Sequence, residues 1–213
     1  MIWSVMDVVL HLDQYLTVLL QQYGAWVYLI LSIIVFAETG LVVAPFLPGD
    51  SLLFVAGAVA ALGGLDLPWL MMCLVFAAVM GNQLNYHIGR WLGPRVFQWQ
   101  NSRFFNRAAL HRTHCFYAQH GGKAVLLSRF LPLFRTFVPF VAGVGAMAYL
   151  RFSVFNAMGA LLWVVSLSLA GFWFGNVPWV RQHLSLVVLG IVILSFVPVL
   201  LSGWWHRRSG RIV

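Results

Sequence analysis

Long apolar runs occupy most of this chain, and polar residues are concentrated in short interruptions between them. The pattern predicts an amphipathic helix at 1–23, followed by apolar segments at 25–62, 67–89, 124–149, 152–175 and 184–205. A helix that crosses a membrane needs about 20 apolar residues, so 67–89, 152–175 and 184–205 are each predicted to span once. The N-terminal helix carries Asp7, His11 and Asp13 on one face. This face suits either a helix in the membrane interface or one packed with its polar side inward.

Two of the apolar segments are interrupted near the middle. Segment 25–62 contains no Lys or Arg and is longer than one span requires. The interruptions are charged residues, Gly and Pro, namely Glu38, Gly40, Pro45, Pro48, Gly49 and Asp50 in the first segment and Arg129, Pro132, Arg135 and Pro139 in the second. Pro and Gly break helices, so we predict two helical arms around a broken centre in each segment. Gly63-Gly64 predicts a turn.

Composition places this pattern in a membrane. Of the 213 residues, 62% are hydrophobic and 8% are charged, and the mean hydropathy is +0.88. A soluble domain carries about a quarter charged residues. Lipid is therefore the expected solvent for much of the surface, and the length suits a single membrane domain, 1–213.

The formal net charge of +8 is sorted along the chain. All five carboxylates lie from Asp7 to Asp66, whereas all 13 Lys and Arg residues lie from Arg90 to Arg211. Lys and Arg collect on the cytoplasmic side of membrane proteins. We therefore predict a cytoplasmic basic loop at 90–123 and a cytoplasmic C-terminus, and we expect no nucleic-acid partner.

Counting crossings predicts the fold. If loop 90–123 and the tail are both cytoplasmic, spans 152–175 and 184–205 form a pair, so segment 124–149 must begin and end on the same side. It is then re-entrant, and 25–62 dips in from the opposite face. Phe-Val-Ala-Gly occurs at 54–57 and again at 140–143, as in an inverted-repeat transporter. The predicted fold is an all-α integral membrane bundle with two opposed re-entrant helical hairpins.

Four charged residues, Glu38, Asp50, Arg129 and Arg135, lie inside these broken apolar segments. Each costs about 2.5–3.5 kcal/mol at the centre of a membrane helix if unpaired. Arg has a planar donor fork that matches phosphate oxygens, so the arginine pair predicts an anionic headgroup, and the acids are candidate proton carriers. The alternatives are an ion-pair network that only locks the fold, snorkelling of Arg129 to the interface, and an N-cap role for Asp50 before Ser51.

Other polar residues permit simpler interpretations. Asn82, Tyr86 and Arg90, with Asn85 and His87, form either an inner rim of a cavity or ordinary interfacial polarity. Asn156 and Trp163 are candidates for hydrogen bonds to other helices, with packing favoured over ligand contact. No metal-ligand spacing or Ser-His-Asp arrangement occurs, and we therefore expect no cofactor, no metal and no enzymatic activity.

At these residues the chain resembles the DedA family of bacterial inner-membrane proteins, which share the VTT or SNARE-associated Golgi domain, and most of all its DedA subgroup. The resemblance covers nearly the whole chain. It lies in Glu38-Thr-Gly, Pro45-Phe-Leu-Pro-Gly-Asp-Ser-Leu-Leu53, Tyr86-His-Ile-Gly-Arg90, His120-Gly-Gly, Arg129-Phe-Leu-Pro, Arg135-Thr-Phe-Val-Pro139, Ala142-Gly143 and the segment from Asn156 to Trp163.

The resemblance implies two opposed re-entrant hairpins, a role in envelope homeostasis, and translocation of lipids such as undecaprenyl phosphate. Other family members resemble proton-dependent transporters. The essential acidic pair of the family matches Glu38 and Asp50, and its essential arginine pair matches Arg129 and Arg135. Relatives usually have Gly-Asp where this chain has Gly81-Asn82. Asn keeps the hydrogen bonding of that position but cannot release a proton.

Three functions remain open from the sequence. The preferred one is translocation of a lipid-phosphate headgroup with proton coupling, with anionic or polyprenyl-phosphate lipids and protons as partners. The second is a proton-coupled antiporter of small ions or drugs, and the third is a non-transporting membrane scaffold. Each is compatible with a homo-oligomer.

Overall fold

A computed structural model describes residues 24–41, 49–96, 121–131, 134–177 and 190. These residues form helices and no strand. The helices are α1 (Trp26–Gly40), α2 (Gly49–Ala61), α3 (Leu67–Val96), a helical stretch at 121–128, α4 (Phe134–Val144) and α5 (Tyr149–Gly175). The predictions for 1–23, for most of loop 90–123, for the C-terminal tail, and for Pro45, Pro48 and Pro132 lie outside the described residues. So does span 184–205, apart from the helical Gly190.

The first apolar run is divided as predicted. Helix α1 ends at Gly40 and α2 begins at Gly49, and the two helices contain 15 and 13 residues. At 1.5 Å per residue they are about 22 and 20 Å long, shorter than the roughly 30 Å hydrocarbon core. The expected N-cap role for Asp50 is wrong, because α2 begins one residue before it. Asp50 lies in the first turn, where its charge complements the helix dipole.

The second run is also divided. Helical residues 121–128 give way to a turn at 129–131, and α4 begins at Phe134. Pro139 does not break the chain as predicted, because it lies inside α4. The buried side of α4 consists of Arg135, Thr136, Pro139, Ala142 and Gly143, which recur at helical spacing along one face. Packing of that face sustains the helix despite the backbone hydrogen bond that Pro139 cannot donate.

The two long helices extend beyond their predicted limits. Leu67–Gly93 and Tyr149–Gly175 are long and apolar enough to cross a membrane. Helix α3 continues to Val96, so the start of the predicted loop 90–123 is helical instead. Gly89 and Gly93 pack closely against α4 there, which supports this end of the helix. Helix α5 begins three residues earlier than the predicted 152, so the second broken segment ends at Val144 rather than at 149.

Local hydrogen bonds define the predicted turn between α2 and α3. Gly63 has φ +80°, and the Gly64 N–H donates to the Val59 carbonyl at 3.2 Å, as in a Schellman cap. Asp66 then caps α3, because its Oδ1 accepts from the Trp69 N–H at 2.9 Å. The expected turn at Gly63-Gly64 is therefore confirmed.

The chain divides into two compact units. In the first unit, which includes 49–71 and 165–177, α2 packs against the C-terminal part of α5. Gly57 contacts the Ser168 carbonyl, Gly171 contacts the Phe54 carbonyl, and Gly175 contacts Ala58. A side chain at any of these glycines would collide with the facing helix, so the backbones approach closely.

In the second unit, which includes 29–41, 72–96, 121–131 and 134–164, α4 packs against α3 with the same pattern of contacts. Gly143 contacts the Tyr86 carbonyl, Gly89 contacts the Phe140 carbonyl, and Gly93 contacts Val144. The contact positions of the two units have the same spacing. Residues 54, 57 and 58 of α2 correspond to residues 140, 143 and 144 of α4. Residues 168, 171 and 175 of α5 correspond to residues 86, 89 and 93 of α3. The two copies of Phe-Val-Ala-Gly therefore make equivalent helix contacts.

Tyr86 lies at the centre of the apolar core of the second unit, which also contains Val125, Ala142, Met147 and Phe152. Its ring stacks on Phe152 with 4.4 Å between centroids. The Tyr86 hydroxyl donates to the Met147 carbonyl at 2.5 Å and accepts from Arg90 Nη1 at 2.9 Å. This hydroxyl ties α3 to the turn after α4, in which Ala146 adopts φ 51°.

Large apolar side chains cover the outside of the helices. Phe76, Leu150 and Trp173 are each at least two-thirds exposed. Apolar side chains on this scale are stable on a surface whose solvent is lipid. Glu38, Arg129 and Arg135 are instead buried.

Candidate functional site

An ion pair joins two helix ends in the second unit. The Arg135 guanidinium contacts Glu38 Oε1, and the two residues are 6% and 0% exposed. Glu38 lies in the last turn of α1 and Arg135 in the first turn of α4. Helix dipoles favour the opposite charge at each of these ends. The helices themselves therefore do not stabilise these charges, and the charges compensate each other.

The indole of Trp163 on α5 forms one wall beside Arg135. The guanidinium carbon lies 5.3 Å from the centroid of the ring, within range of a cation–π interaction. Trp163 is itself 2% exposed. Trp163 was expected to contact other helices, and it does so through the charged Arg135.

Arg129 lies in the turn that follows helical residues 121–128, and it is 3% exposed. Its Nη2 donates to Asn156 Oδ1 at 2.6 Å and to the Ala78 carbonyl at 3.2 Å. Its aliphatic stem contacts Gly159. Arg129 therefore points into the polar interior, and the snorkelling alternative is wrong. Asn156 therefore hydrogen-bonds a charged residue in addition to packing between helices.

Amide side chains of α3 connect these groups. Asn85 Nδ2 donates to the carbonyls of Thr39 at 3.3 Å and Thr136 at 2.7 Å. Asn82 is also buried, and its Nδ2 donates to Asn156 Oδ1 at 3.0 Å. The reversed amide would replace this bond with two others: its nitrogen donates to the Thr39 carbonyl at 3.2 Å and its oxygen accepts from Arg129 Nη2 at 2.9 Å. These amides are buried, and their role as the inner rim of a cavity stays a prediction.

The other predicted site residues have defined places. Tyr86 and Gly143 hold α3 against α4, and Arg90 supports Tyr86 from the outer side. His87 is exposed, in keeping with its interpretation as an interfacial residue. Gly49 and Asp50 begin α2 in the first unit, so a role for Asp50 beside the arginines stays a prediction.

Sequence reasoning assigned no role to Thr39 and Thr136, although each directly follows a charged residue of the ion pair. Both are buried. Their carbonyls accept from Asn85, and Thr136 Oγ1 and Asn85 Oδ1 have no partner among the described residues. A polar residue beside a charged one inside an apolar run was the signal that could have identified them. No three His, Cys, Asp or Glu residues cluster as metal ligands within the described ranges.

This arrangement combines two guanidinium groups, one carboxylate and neutral amides in an apolar environment. Such a group can bind an anion at the arginines and exchange it against the carboxylate. Charged residues at membrane depth are costly and mark transport or relay sites in membrane proteins.

Comparisons with known proteins identify the family. The model of the VTT domain matches residues 47–173. Protein DedA of Escherichia coli K12 is 47% identical over 211 residues, covering 98% of this chain and 96% of that protein. An uncharacterized membrane protein of Mycobacterium leprae, ML0287, is 42% identical over 83% of this chain and 79% of its own length.

The inner membrane protein YqjA of E. coli K12 is 38% identical over 86% of both chains. No solved structure matches the chain. The family model covers more than half of the sequence, and the relatives cover nearly all of it. The chain is therefore a membrane protein of the DedA family, built on a VTT domain.

Proposed function

We propose that this protein moves the phosphate headgroup of an anionic lipid, such as a phospholipid or undecaprenyl phosphate, between the leaflets of the bacterial inner membrane, with proton coupling. The observation that carries the proposal is the buried Glu38–Arg135 ion pair, in the same unit as the buried Arg129. A pair that only stabilised the fold would be replaceable by apolar residues, often without loss of stability.

In this mechanism the arginines bind the lipid phosphate while the acyl or prenyl tail stays in the bilayer. Arg135 is occupied by Glu38 when no ligand is bound. Protonation of Glu38 releases Arg135 for the phosphate, and deprotonation returns the arginine to the carboxylate and frees the headgroup. Asp50 is proposed as the second acid of the proton route.

Electrostatics favour coupling to protons. Moving one negative charge towards the inside of an inside-negative membrane costs about 2.3 kcal/mol per 100 mV. A proton that moves with the headgroup cancels this cost. The same proton neutralises Glu38 at the moment when its partner Arg135 leaves it, so that no unpaired carboxylate is left buried.

The proposed architecture is an inverted repeat with two opposed re-entrant hairpins. Helices α1 and α2 are each too short to cross the membrane alone, and equivalent glycine contacts recur in the two units. Inverted repeats with broken helices place the substrate near the membrane midplane. We propose a cytoplasmic basic loop and C-terminus, and no catalytic step.

The test is leaflet exchange in proteoliposomes with a fluorescent lipid phosphate, with and without a pH gradient. We expect Arg135→Gln, Arg129→Gln and Glu38→Gln to lower the exchange rate at least tenfold, and wild-type exchange to acidify or alkalise the lumen. Arg151→Gln is the matched control, because it removes one positive charge from an exposed position at the start of α5, and its rate should equal that of the wild type.

Equal rates for the three variants and the wild type would refute the assigned roles. Flux of a small cation without lipid movement would instead favour the antiporter. Because loss of one buried partner can impair folding, each variant is first checked for a monodisperse peak in detergent and for the wild-type helical content.

A further inference from the structure

Arg129 and Arg135 have opposite electrostatic surroundings. The second unit, counting its undescribed residues 42–47, 97–120 and 132–133, contains one acidic residue in its sequence, Glu38. That carboxylate contacts Arg135. Arg129 instead contacts oxygens of the neutral groups Asn156, Ala78 and, with the amide reversed, Asn82. Its positive charge is therefore not compensated by any carboxylate of its own unit.

The guanidinium of Arg129 also retains donor capacity. Its Nε is buried and has no partner among the described residues, while Nη2 carries the hydrogen bonds to Asn156 and Ala78. An Arg binds phosphate through two parallel N–H groups of its fork. A buried cation without a counter-charge is unfavourable, so an anion is the expected complement.

The amide oxygen of Asn82 lies where a carboxylate would neutralise this cation. With the amide reversed, this oxygen accepts from Arg129 Nη2 at 2.9 Å. An aspartate of the same shape would accept the same hydrogen bond and add a negative charge. The neutral Asn side chain positions the guanidinium of Arg129 without neutralising its positive charge.

We propose that Asn82 is a specificity-determining residue that keeps Arg129 uncompensated, and that Arg129 is thereby the first group to bind the phosphate, ahead of the occupied Arg135. The inference rests on the proposed function for the identity of the site. It adds an order of binding: Arg129 binds the phosphate first, and Arg135 binds it after Glu38 releases that arginine.

The test is Asn82→Asp, measured as the affinity of purified full-length protein in detergent for inorganic phosphate and for a short-chain dialkyl phosphate by calorimetry. We expect at least a tenfold loss of affinity for every ligand that the wild type binds. We also expect a higher melting temperature without ligand, because the new carboxylate pairs with Arg129. Asn82→Ala, which adds no charge, should lose less than threefold.

Gln83→Glu is the matched control. It adds the same charge at the neighbouring residue, whose amide donates to Ser153 Oγ at 2.8 Å rather than contacting Arg129. Its affinity should stay within twofold of the wild type. If the wild type prefers the dialkyl phosphate, the site binds a lipid headgroup; if it binds both probes equally, the site binds the free anion. In both cases, a tenfold loss of affinity in Asn82→Asp supports the inference.

Wild-type affinity in Asn82→Asp, or a larger loss in Arg135→Gln than in Arg129→Gln, would overturn the inference, as would the absence of phosphate binding by the wild type. The outcome is separable from the proposed function. If Asn82→Asp loses phosphate while the wild type binds but never translocates lipid, the inference stands and the function fails. If Asn82→Asp binds normally and the wild type translocates, the reverse holds.

Discussion

Asn156 and Trp163 lie seven residues apart on α5, and each holds one buried guanidinium group: Asn156 accepts from Arg129, and Trp163 lies beside Arg135. Seven residues are two helical turns, so both side chains occupy one face about 10 Å apart along the axis. The two arginines belong to different structural segments, and α5 aligns them. A single helix thereby holds both guanidinium groups at a set spacing.

Removing the indole should loosen Arg135. We expect Trp163→Leu to lower the unfolding free energy by about 1–2 kcal/mol, because it removes a desolvated cation–π contact, and Trp163→Phe to lower it less. Trp173→Leu on the same helix is the control, because that indole is exposed. Denaturant unfolding in detergent measures the difference, and equal losses at 163 and 173 would contradict the stabilising contact.

Substitutions in the Glu38–Arg135 pair should affect stability and lipid exchange differently. Glu38→Gln or Arg135→Gln alone should cost about 3–5 kcal/mol, since each leaves a buried charge alone. Glu38→Leu combined with Arg135→Met should recover most of this stability but should not recover lipid exchange. The melting temperature and the exchange rate of the double variant are the two measurements. Recovery of both would favour a pair that serves only the fold.

Close backbone packing at Gly143 should not tolerate a methyl group. We expect Gly143→Ala to destabilise the protein by about 1–3 kcal/mol, because its Cβ would collide with the Tyr86 carbonyl. Gly190→Ala is the matched control: Gly190 is helical and exposed, and a Cβ there meets nothing within 4 Å. That change should be neutral or stabilising by up to about 1 kcal/mol. Melting temperatures of both variants test the contrast.

The hydroxyl of Tyr86 should contribute to stability through its hydrogen bond to the Met147 carbonyl. We expect Tyr86→Phe to cost about 1–3 kcal/mol, because it leaves that buried acceptor without its donor. The ring stack on Phe152 is retained in this variant. Tyr149→Phe, at an exposed position beside the same ring, should change stability by less than about 0.5 kcal/mol. A similar loss for both would argue against the bond to Met147.

Much of the site follows from where charges fall in an apolar sequence. Glu38, Arg129 and Arg135 stood out because unpaired charges at membrane depth are costly, and all three are buried. Their partners did not stand out. Asn156 and Trp163 were expected to contact other helices, but a helical period cannot tell which distant segment a face will meet. Thr39 and Thr136 act through backbone carbonyls, and their sequence signal was only that each is a polar residue next to a charged one inside an apolar run.

The observed helix limits differ from the predicted ones for a related reason. The sequence placed a break at Pro139 from local propensity and the start of a loop at Arg90 from its charge, yet both residues lie inside helices. In each case packing between α3 and α4, through Gly89, Gly93 and Gly143, outweighs the local preference. Tertiary contacts routinely override propensities of about 1 kcal/mol per residue.

The sequence alone determined the lipid solvent, the division of the first apolar run into two short arms, and the charged residues inside the apolar segments, because hydrophobic transfer energies act locally and add along the chain. Only the tertiary structure decided that Glu38 pairs with Arg135 while Arg129 is left with neutral amides. Ion pairing depends on a few ångströms of separation, and residues about a hundred positions apart reach that separation only through the packing of their helices.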